Sequence, residues 1–279
     1  MVIDFHTHIF SEWVIDNKDL CIKRDATFRE LFNDPNARIV SFQELIQSMD
    51  EEDIDVSVVM GIGWNDAKLA VDSNDYLIDA VAKSNGRLVG FAGVNPAWGD
   101  DCSKEIDRCS NAGLKGIGEL HPDTQGFDLT DGKIMSSFLE AVRYHDLIVT
   151  THSSEPVGHT YGGKGKTYPS VLWEFIQNCP GIAIVCAHWG GGLPFYSLMP
   201  EVEEVLANVY FDTAASPFLY RSEIFESVVS ILGAHKVLMA SDYPLVKPSR
   251  ILDQISGSNL EEHEKNLITG GNATRLLGL

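Results

Sequence analysis

Residues 2–8 read Val-Ile-Asp-Phe-His-Thr-His (VIDFHTH), a short apolar and β-branched run that ends in two histidines two positions apart. The same pattern returns at Ile54–Gly61 (IDVSVVMG), Leu88–Val94 (LVGFAGV), Leu114–Leu120 (LKGIGEL), Leu147–His152 (LIVTTH), Ile182–His188 (IAIVCAH), Val209–Thr213 (VYFDT) and Val237–Asp242 (VLMASD). Each run is bounded by polar or glycine-rich residues, as strands are. The intervals between most of them have helical periodicity and readable ends. Ser41 and Glu44 have the spacing of a capping box, opening a helix with Leu45, Ile46 and Met49 as its apolar stripe. Asn85-Gly86 and Ala112-Gly113 offer the left-handed positions that stop the next two helices.

Strand and helix alternating eight times, with right-handed crossovers, predict an α/β fold closed as a (β/α)8 TIM barrel, with an open doubly wound sheet as the alternative. No linker, charge block, low-complexity tract or repeat divides the chain, so residues 1–279 read as one barrel domain, with closing helices in Asn259–Leu279. Two connections are long: Ile9 to about Val40, and Ser153 to about Pro169. Both follow the C-terminal ends of strands, the face where barrels carry chemistry, and long loops there form lids or substrate walls.

The composition narrows the partners. With 40 acidic and 21 basic residues the formal charge is −19, which repels phosphate backbones and anionic headgroups and argues against nucleic acid and membrane. No apolar run approaches the roughly 18–20 residues of a membrane span, and MVIDFHTHIF lacks the features of a signal peptide, so a cytoplasmic protein is expected. Five cysteines without C-x-x-C spacing (Cys21, Cys102, Cys109, Cys179 and Cys186) read as reduced core thiols.

Position along the strands sorts the nine histidines. His6, His8, His152 and His188 lie at C-terminal strand ends, Asp242 ends the eighth run and Glu119 lies near the end of the fourth. Residues two apart share a strand face, so His6 and His8 point the same way. A lone strand-end His is more often a hydrogen-bonded structural residue and a lone Asp a helix cap. A convergent set of six ligand-capable groups instead points to a catalytic metal site at the C-terminal face of the barrel. Imidazole and carboxylate donors suit Zn²⁺, and also Mn²⁺ or Fe²⁺. His145, His235 and His263 read as structural or solvated, while His121 and His159 sit in loops of the catalytic face.

These segments resemble a known family. The FHTH start, the T-H-S end of the fifth strand, A-H-W-G-G-G-L-P-F, A-S-D-Y-P and the closing G-G-N-A-T-R-L-L are similar to the amidohydrolase superfamily. Within it, the likeness is to the amidohydrolase-related branch that includes aminocarboxymuconate-semialdehyde decarboxylase. The resemblance runs from Ile3 to Leu277 and implies that His6, His8 and His152 are metal ligands and that Asp242 is the eighth-strand acid. His188 resembles a histidine that stands beside the metal-bound water or binds a second metal. Glu119 resembles the bridging carboxylate of binuclear members, a departure from mononuclear decarboxylases. A carbamylated Lys115 could serve as a bridge by strand parity, but it lies four residues, roughly 13 Å, before Glu119, too deep for the mouth.

The leading expectation is therefore a metal-dependent hydrolase that attacks an amide, lactone or ester of a small, carboxylated substrate with a metal-activated water, Asp242 acting as general base. One or two ions, zinc foremost, would be held by His6, His8, Glu119, His152, His188 and Asp242. The alternative is non-oxidative decarboxylation of an unsaturated or aromatic carboxylic acid at one metal, with His188 serving proton transfer. His159, Lys164 and Arg250 are the candidate substrate-binding residues, joined by Lys166 and Lys247 among the nearby cations; the plain alternative for such cations is solvation. Relatives of this branch are often dimers, so a homodimer stays open.

Overall fold

The computed structural model describes residues 1–279. Its strands are β1 (Ile3–Thr7), β2 (Val56–Met60), β3 (Leu88–Ala92), β4 (Gly116–Leu120), β5 (Ile148–Thr151), β6 (Ile184–Cys186), β7 (Val209–Asp212) and β8 (Val237–Leu238). They pair in parallel in chain order, β1 through β8. The ring closes where Phe5 N donates to Met239 O at 2.9 Å, Asp242 N to His6 O at 2.9 Å and His8 N to Tyr243 O at 2.8 Å. The architecture is the TIM barrel, not the open sheet.

Side-chain alternation builds two apolar layers. Phe5, Val58, Met60, Phe91, Ile148, Val185 and Leu238 fill the barrel interior. Phe5 meets Phe91 edge-on at 5.8 Å although β1 and β3 are not neighbours, so the two rings meet inside the barrel. The intervening positions, such as Val59, Val149, Ile184, Phe211 and Met239, pack outward against the helices. The helix Phe42–Glu51 starts with the expected capping box: Ser41 Oγ accepts from Glu44 N, and Glu44 Oε2 accepts from Ser41 N at 2.8 Å. All five cysteines are buried and free.

Alternation fails at two places, and both are at the mouth. Pairing slips between Asp4 and Thr7 on β1, and between Ile117 and Leu120 on β4. Phe5 reaches Phe91 while His6 reaches Asp212, so consecutive side chains both face the axis. On β4, Ile117 packs outward, and strict alternation would send Glu119 outward with it; the irregularity turns Glu119 inward, as bulges beside active sites do. This corrects the parity argument for Lys115. It follows the outward phase of Ile117, is exposed, and is no candidate for a carbamylated bridge. Where the β1 ladder is interrupted, the buried Asp4 carboxylate accepts from Ser241 N at 2.8 Å and from the Ser241 hydroxyl, fastening β8 to β1. Burial pushes Asp4 up to about 6 against these hydrogen bonds.

The two long connections differ. Residues 9–40 carry three short helices, Glu12–Asp16, Lys18–Arg24 and Ala26–Phe32. They are fastened by buried Asp25, whose carboxylate accepts from the backbone N–H groups of Phe28, Asn65 and Asp66 at 2.7–2.9 Å. Residues 153–168 form no helix or strand. No helix is long and apolar enough to cross a membrane.

Removing the ring that bridges the interior should leave a hole that short, buried strands cannot close. Phe91→Ala is expected to cost about 3–5 kcal/mol in urea unfolding, whereas Tyr144→Ala, on an exposed helix end, should stay within about 0.5 kcal/mol. Equal effects would contradict the assigned interior.

Candidate metal centre

Six side chains foreseen from strand ends converge at the C-terminal mouth: His6 and His8 from β1, Glu119 from β4, His152 after β5, His188 after β6 and Asp242 after β8. All but Asp242 are buried, and the Asp242 side chain is only 16% exposed.

Hydrogen-bond polarity fixes how the imidazoles face. His8 Nδ1 lies 3.1 Å from Met60 O and His188 Nδ1 lies 3.1 Å from Ala214 O. A carbonyl only accepts, so each Nδ1 carries the proton. His6 Nδ1 lies 2.9 Å from Asp212 Oδ2, an acceptor of the same kind. The Nε2 atoms of His6, His8 and His188 are thereby presented to the centre, whereas His152 turns Nδ1 to Glu119 and Nε2 to Ser154 Oγ, 3.3 Å away. His6 Nε2 and His8 Nε2 stand 3.1 Å apart, within 3.4–4.0 Å of Glu119 Oε2 and Asp242 Oδ1. Two such nitrogens repel unless a positive charge lies between them. Donors at about 2.0–2.2 Å from a four-coordinate ion stand about 3.3–3.6 Å apart, so this quartet fits a divalent cation in spacing and in donor type.

Glu119 belongs to two donor groups, His6/His8/Glu119 and Glu119/His152/His188. Its Oε1 lies 2.9 Å from His152 Nδ1 and 3.3 Å from His188 Nε2. The electrostatics follow from this crowding. Burial opposes ionisation of Glu119, but His6 and His152 outweigh it and hold the carboxyl well below its ordinary range. Burial likewise disfavours a charged His6, yet Asp212 and Glu119 raise its pKa well above the ordinary histidine value. His188, also opposed by burial, is raised to about 9 by Glu119, Asp242 and Asp212. Asp242 is lowered against burial by His8, His6 and His188. The cluster attracts positive charge at every acceptor.

Three features escaped sequence reading or were only half read. Asp212 ends β7, in the VYFDT run that had supplied a strand but no ligand. Its Oδ2 faces His6, while its Oδ1 accepts from His188 N at 2.9 Å and Ala214 N at 3.0 Å. The strand-end rule that found the other acids would have found it. His121, left undecided between substrate contact and loop structure, is buried and stacks on His152 with ring centroids 4.2 Å apart. Burial and nearby His152 push it down to about 3, which keeps it neutral. Finally, His188-Trp-Gly-Gly-Gly192 runs through five successive positive φ values, 55–95°. This left-handed turn is anchored by Trp189 Nε1 donating to Ser216 Oγ at 3.0 Å.

The substrate candidates lie apart from the cluster. Lys164 Nζ donates to Val157 O and His159 O within its own loop, at 2.7 and 2.9 Å, and lies over the Tyr161 ring, beside which His159 also packs. Arg250 is exposed over Phe218 at 5.0 Å, and Lys247 pairs with Glu52. The Lys166 side chain is exposed. His145 pairs with Asp107 and His263 with Glu261, away from the mouth.

The amidohydrolase family matches residues 3–279. A curated relative, gamma-resorcylate decarboxylase of Polaromonas sp. strain JS666, is 21% identical over 252 residues, covering 74% of this chain and 75% of the relative. Among solved structures, 5-carboxyvanillate decarboxylase from Sphingomonas paucimobilis superposes with a TM-score of 0.79 at 18% identity, over 100% of this chain and 99% of that one. The Novosphingobium aromaticivorans 5-carboxyvanillate decarboxylase, complexed with manganese and 4-hydroxy-3-methoxy-5-nitrobenzoic acid, gives 0.80 at 19%, over 100% and 96%. The expected hydrolysis of an amide, lactone or ester does not stand: these proteins are decarboxylases of aromatic acids. Zinc is likewise not singled out, the ion in the last structure being manganese.

The left-handed turn yields a test. A Cβ on Gly191, at φ +59°, would lie 2.3 Å from Ser154 O, a backbone atom two residues from His152. Gly191→Ala should therefore displace both His188 and the β5 loop and lower divalent-ion affinity at least 10-fold. Gly113→Ala, also at positive φ but in open space, should cost only about 1 kcal/mol of stability with affinity unchanged. Calorimetric titration with Mn²⁺ compares the two.

Proposed function

The chain belongs to the amidohydrolase family, and on that premise we propose that it is a metal-dependent non-oxidative decarboxylase of an aromatic carboxylic acid. The observation that carries the reading is the placement of His188: an imidazole with Nδ1 locked on Ala214 O and its Nε2 turned to Glu119 Oε1, 3.3 Å away at the edge of the cation-binding quartet. Decarboxylation consumes one proton at the carbon that loses carbon dioxide. A buried imidazolium beside the substrate carboxylate supplies that proton without drawing on bulk water.

In this reading His6, His8, Glu119 and Asp242 would hold the ion. When bound, a divalent cation neutralises the buried carboxylates and orients the anionic substrate. His188 Nε2 delivers its proton to the ring carbon, the bond to the carboxyl carbon breaks, and its electron pair returns to the ring. Glu119 Oε1, 3.3 Å away, holds the imidazolium in place before transfer. His152 keeps Glu119 aligned through its 2.9 Å contact. Arg250, exposed on the helix Pro248–Gly257 after Asp242, offers a cation to an anionic substrate at the outer approach, while His159 and Lys164 shape the loop after His152. The relatives' own substrates support an ortho-hydroxylated benzoate.

Metal-loaded protein incubated with 2,6-dihydroxybenzoate (gamma-resorcylate) and 5-carboxyvanillate should release carbon dioxide from at least one. His188→Gln should lower kcat by about 10²–10⁴-fold. No carbon dioxide from either acid, or an unimpaired variant, would overturn the assignment.

A second expectation concerns pH. Below its raised pKa the His6 imidazole is protonated on Nε2, so a cation binding there must displace a proton. Mn²⁺ or Zn²⁺ binding at pH 7 should therefore release protons, and affinity should rise with pH as His6 gives up its Nε2 proton. Titrations in buffers of different ionisation enthalpy measure both; pH-independent affinity would contradict the proton–cation competition.

A further inference from the structure

We propose that Asp212 is the positioning residue that sets the metal-binding tautomer of His6 while holding the backbone that carries His188. The inference rests on the metal-site reading above and goes beyond it to a residue that does not face the ion.

The argument is one of donors and acceptors. Asp212 is fully buried on β7, and both its oxygens are committed: Oδ2 to His6 Nδ1 at 2.9 Å, Oδ1 to the amides of His188 at 2.9 Å and Ala214 at 3.0 Å. No lysine or arginine reaches it; its only salt-bridge partner is His6. As a carboxylate it only accepts, so His6 must keep its proton on Nδ1 and present Nε2 to His8, Glu119 and Asp242. The same carboxylate holds the first amide of the left-handed turn, and the Ala214 N it accepts from belongs to the residue whose carbonyl receives His188 Nδ1. One side chain thus orients His6 directly and His188 from both ends.

Asp212→Asn separates this role from simple folding. The asparagine oxygen can still accept from the His188 and Ala214 amides, because turning the NH₂ toward two N–H donors would leave three donors facing one another. The NH₂ is then forced toward His6 Nδ1, which must accept. The ring proton moves to Nε2, the atom meant for the cation. The backbone contacts survive while the ligand is disabled.

The experiment compares wild type and D212N, freed of metal with chelator, by calorimetric titration with Mn²⁺ and Zn²⁺. It is joined by ¹⁵N-detected histidine spectra of the Zn²⁺-loaded and free proteins, with His6 assigned through His6→Gln. The expected result is near-native thermal unfolding of D212N, affinity lowered about 10–100-fold, and, with the metal-free variant titrated until the ring is neutral, His6 carrying its one proton on Nε2 instead of Nδ1. Affinity within two-fold of wild type, or a neutral His6 ring in D212N still protonated on Nδ1, overturns the inference and leaves the metal reading intact. Wild type that binds neither ion overturns both. If D212N does not fold, the wild-type spectrum decides: a Zn²⁺-loaded His6 with Nδ1 protonated supports the role, and one with Nδ1 bare refutes it.

Discussion

Each imidazole at the mouth has one nitrogen spoken for by an acceptor that cannot donate. Met60 O, Ala214 O and Asp212 take the Nδ1 protons of His8, His188 and His6, and the three Nε2 atoms are left to point at one another and at two carboxylates. Such an arrangement is electrostatically unfavourable unless positive charge joins it, as protons or as a cation. The raised pKa values of His6 and His188 and the depressed Glu119 and Asp242 are four views of that demand. A site of this kind is held together by the fold against its own repulsion, so its supporting elements must be rigid.

The barrel supplies that rigidity through irregularity. Regular strands would place Phe5 and His6 on opposite faces and send Glu119 toward the helices. The slips on β1 and β4 bring both side chains to the axis without sacrificing the aromatic contact between Phe5 and Phe91. The left-handed turn after β6 does the same for His188. His188 and Trp189 at positive φ each cost about 1–2 kcal/mol. Complete burial of the Trp189 ring against Phe225, and its bond to Ser216, offset the strain.

These irregularities mark what could be read in the chain. All eight strands were legible, because a run such as IAIVCAH is apolar, short and punctuated, and the strand-end position of His6, His8, His152, His188 and Asp242 singled out the site. Glu119 was found through its place near a strand end, while the parity attached to it was wrong: period-two alternation assumes an uninterrupted ladder, and the one mark of the slip in GIGEL is Gly118, a glycine inside a strand. Lys115 shared Glu119's parity only on paper. Asp212 ends a strand as Asp242 does, but its role depends on a partner 206 positions away that no local pattern reveals. Lys164 shows the converse limit: its charge and loop were visible, but not that two carbonyls of the same loop occupy its ammonium.

Hydrolysis and decarboxylation draw on the same donors, which is why the donor list alone favoured the wrong chemistry. A hydrolytic site needs a base to take a proton from water. A decarboxylating site needs an acid to give one to carbon. The immediate surroundings of His188 favour the acid. Its Nδ1 proton is immobilised on Ala214 O, and its Nε2 lies 3.3 Å from Glu119 Oε1, an acceptor for a second ring proton. On the proposed reading, the group that meets the substrate is one positioned to hold a proton, and the fold uses a left-handed turn to put it at the mouth.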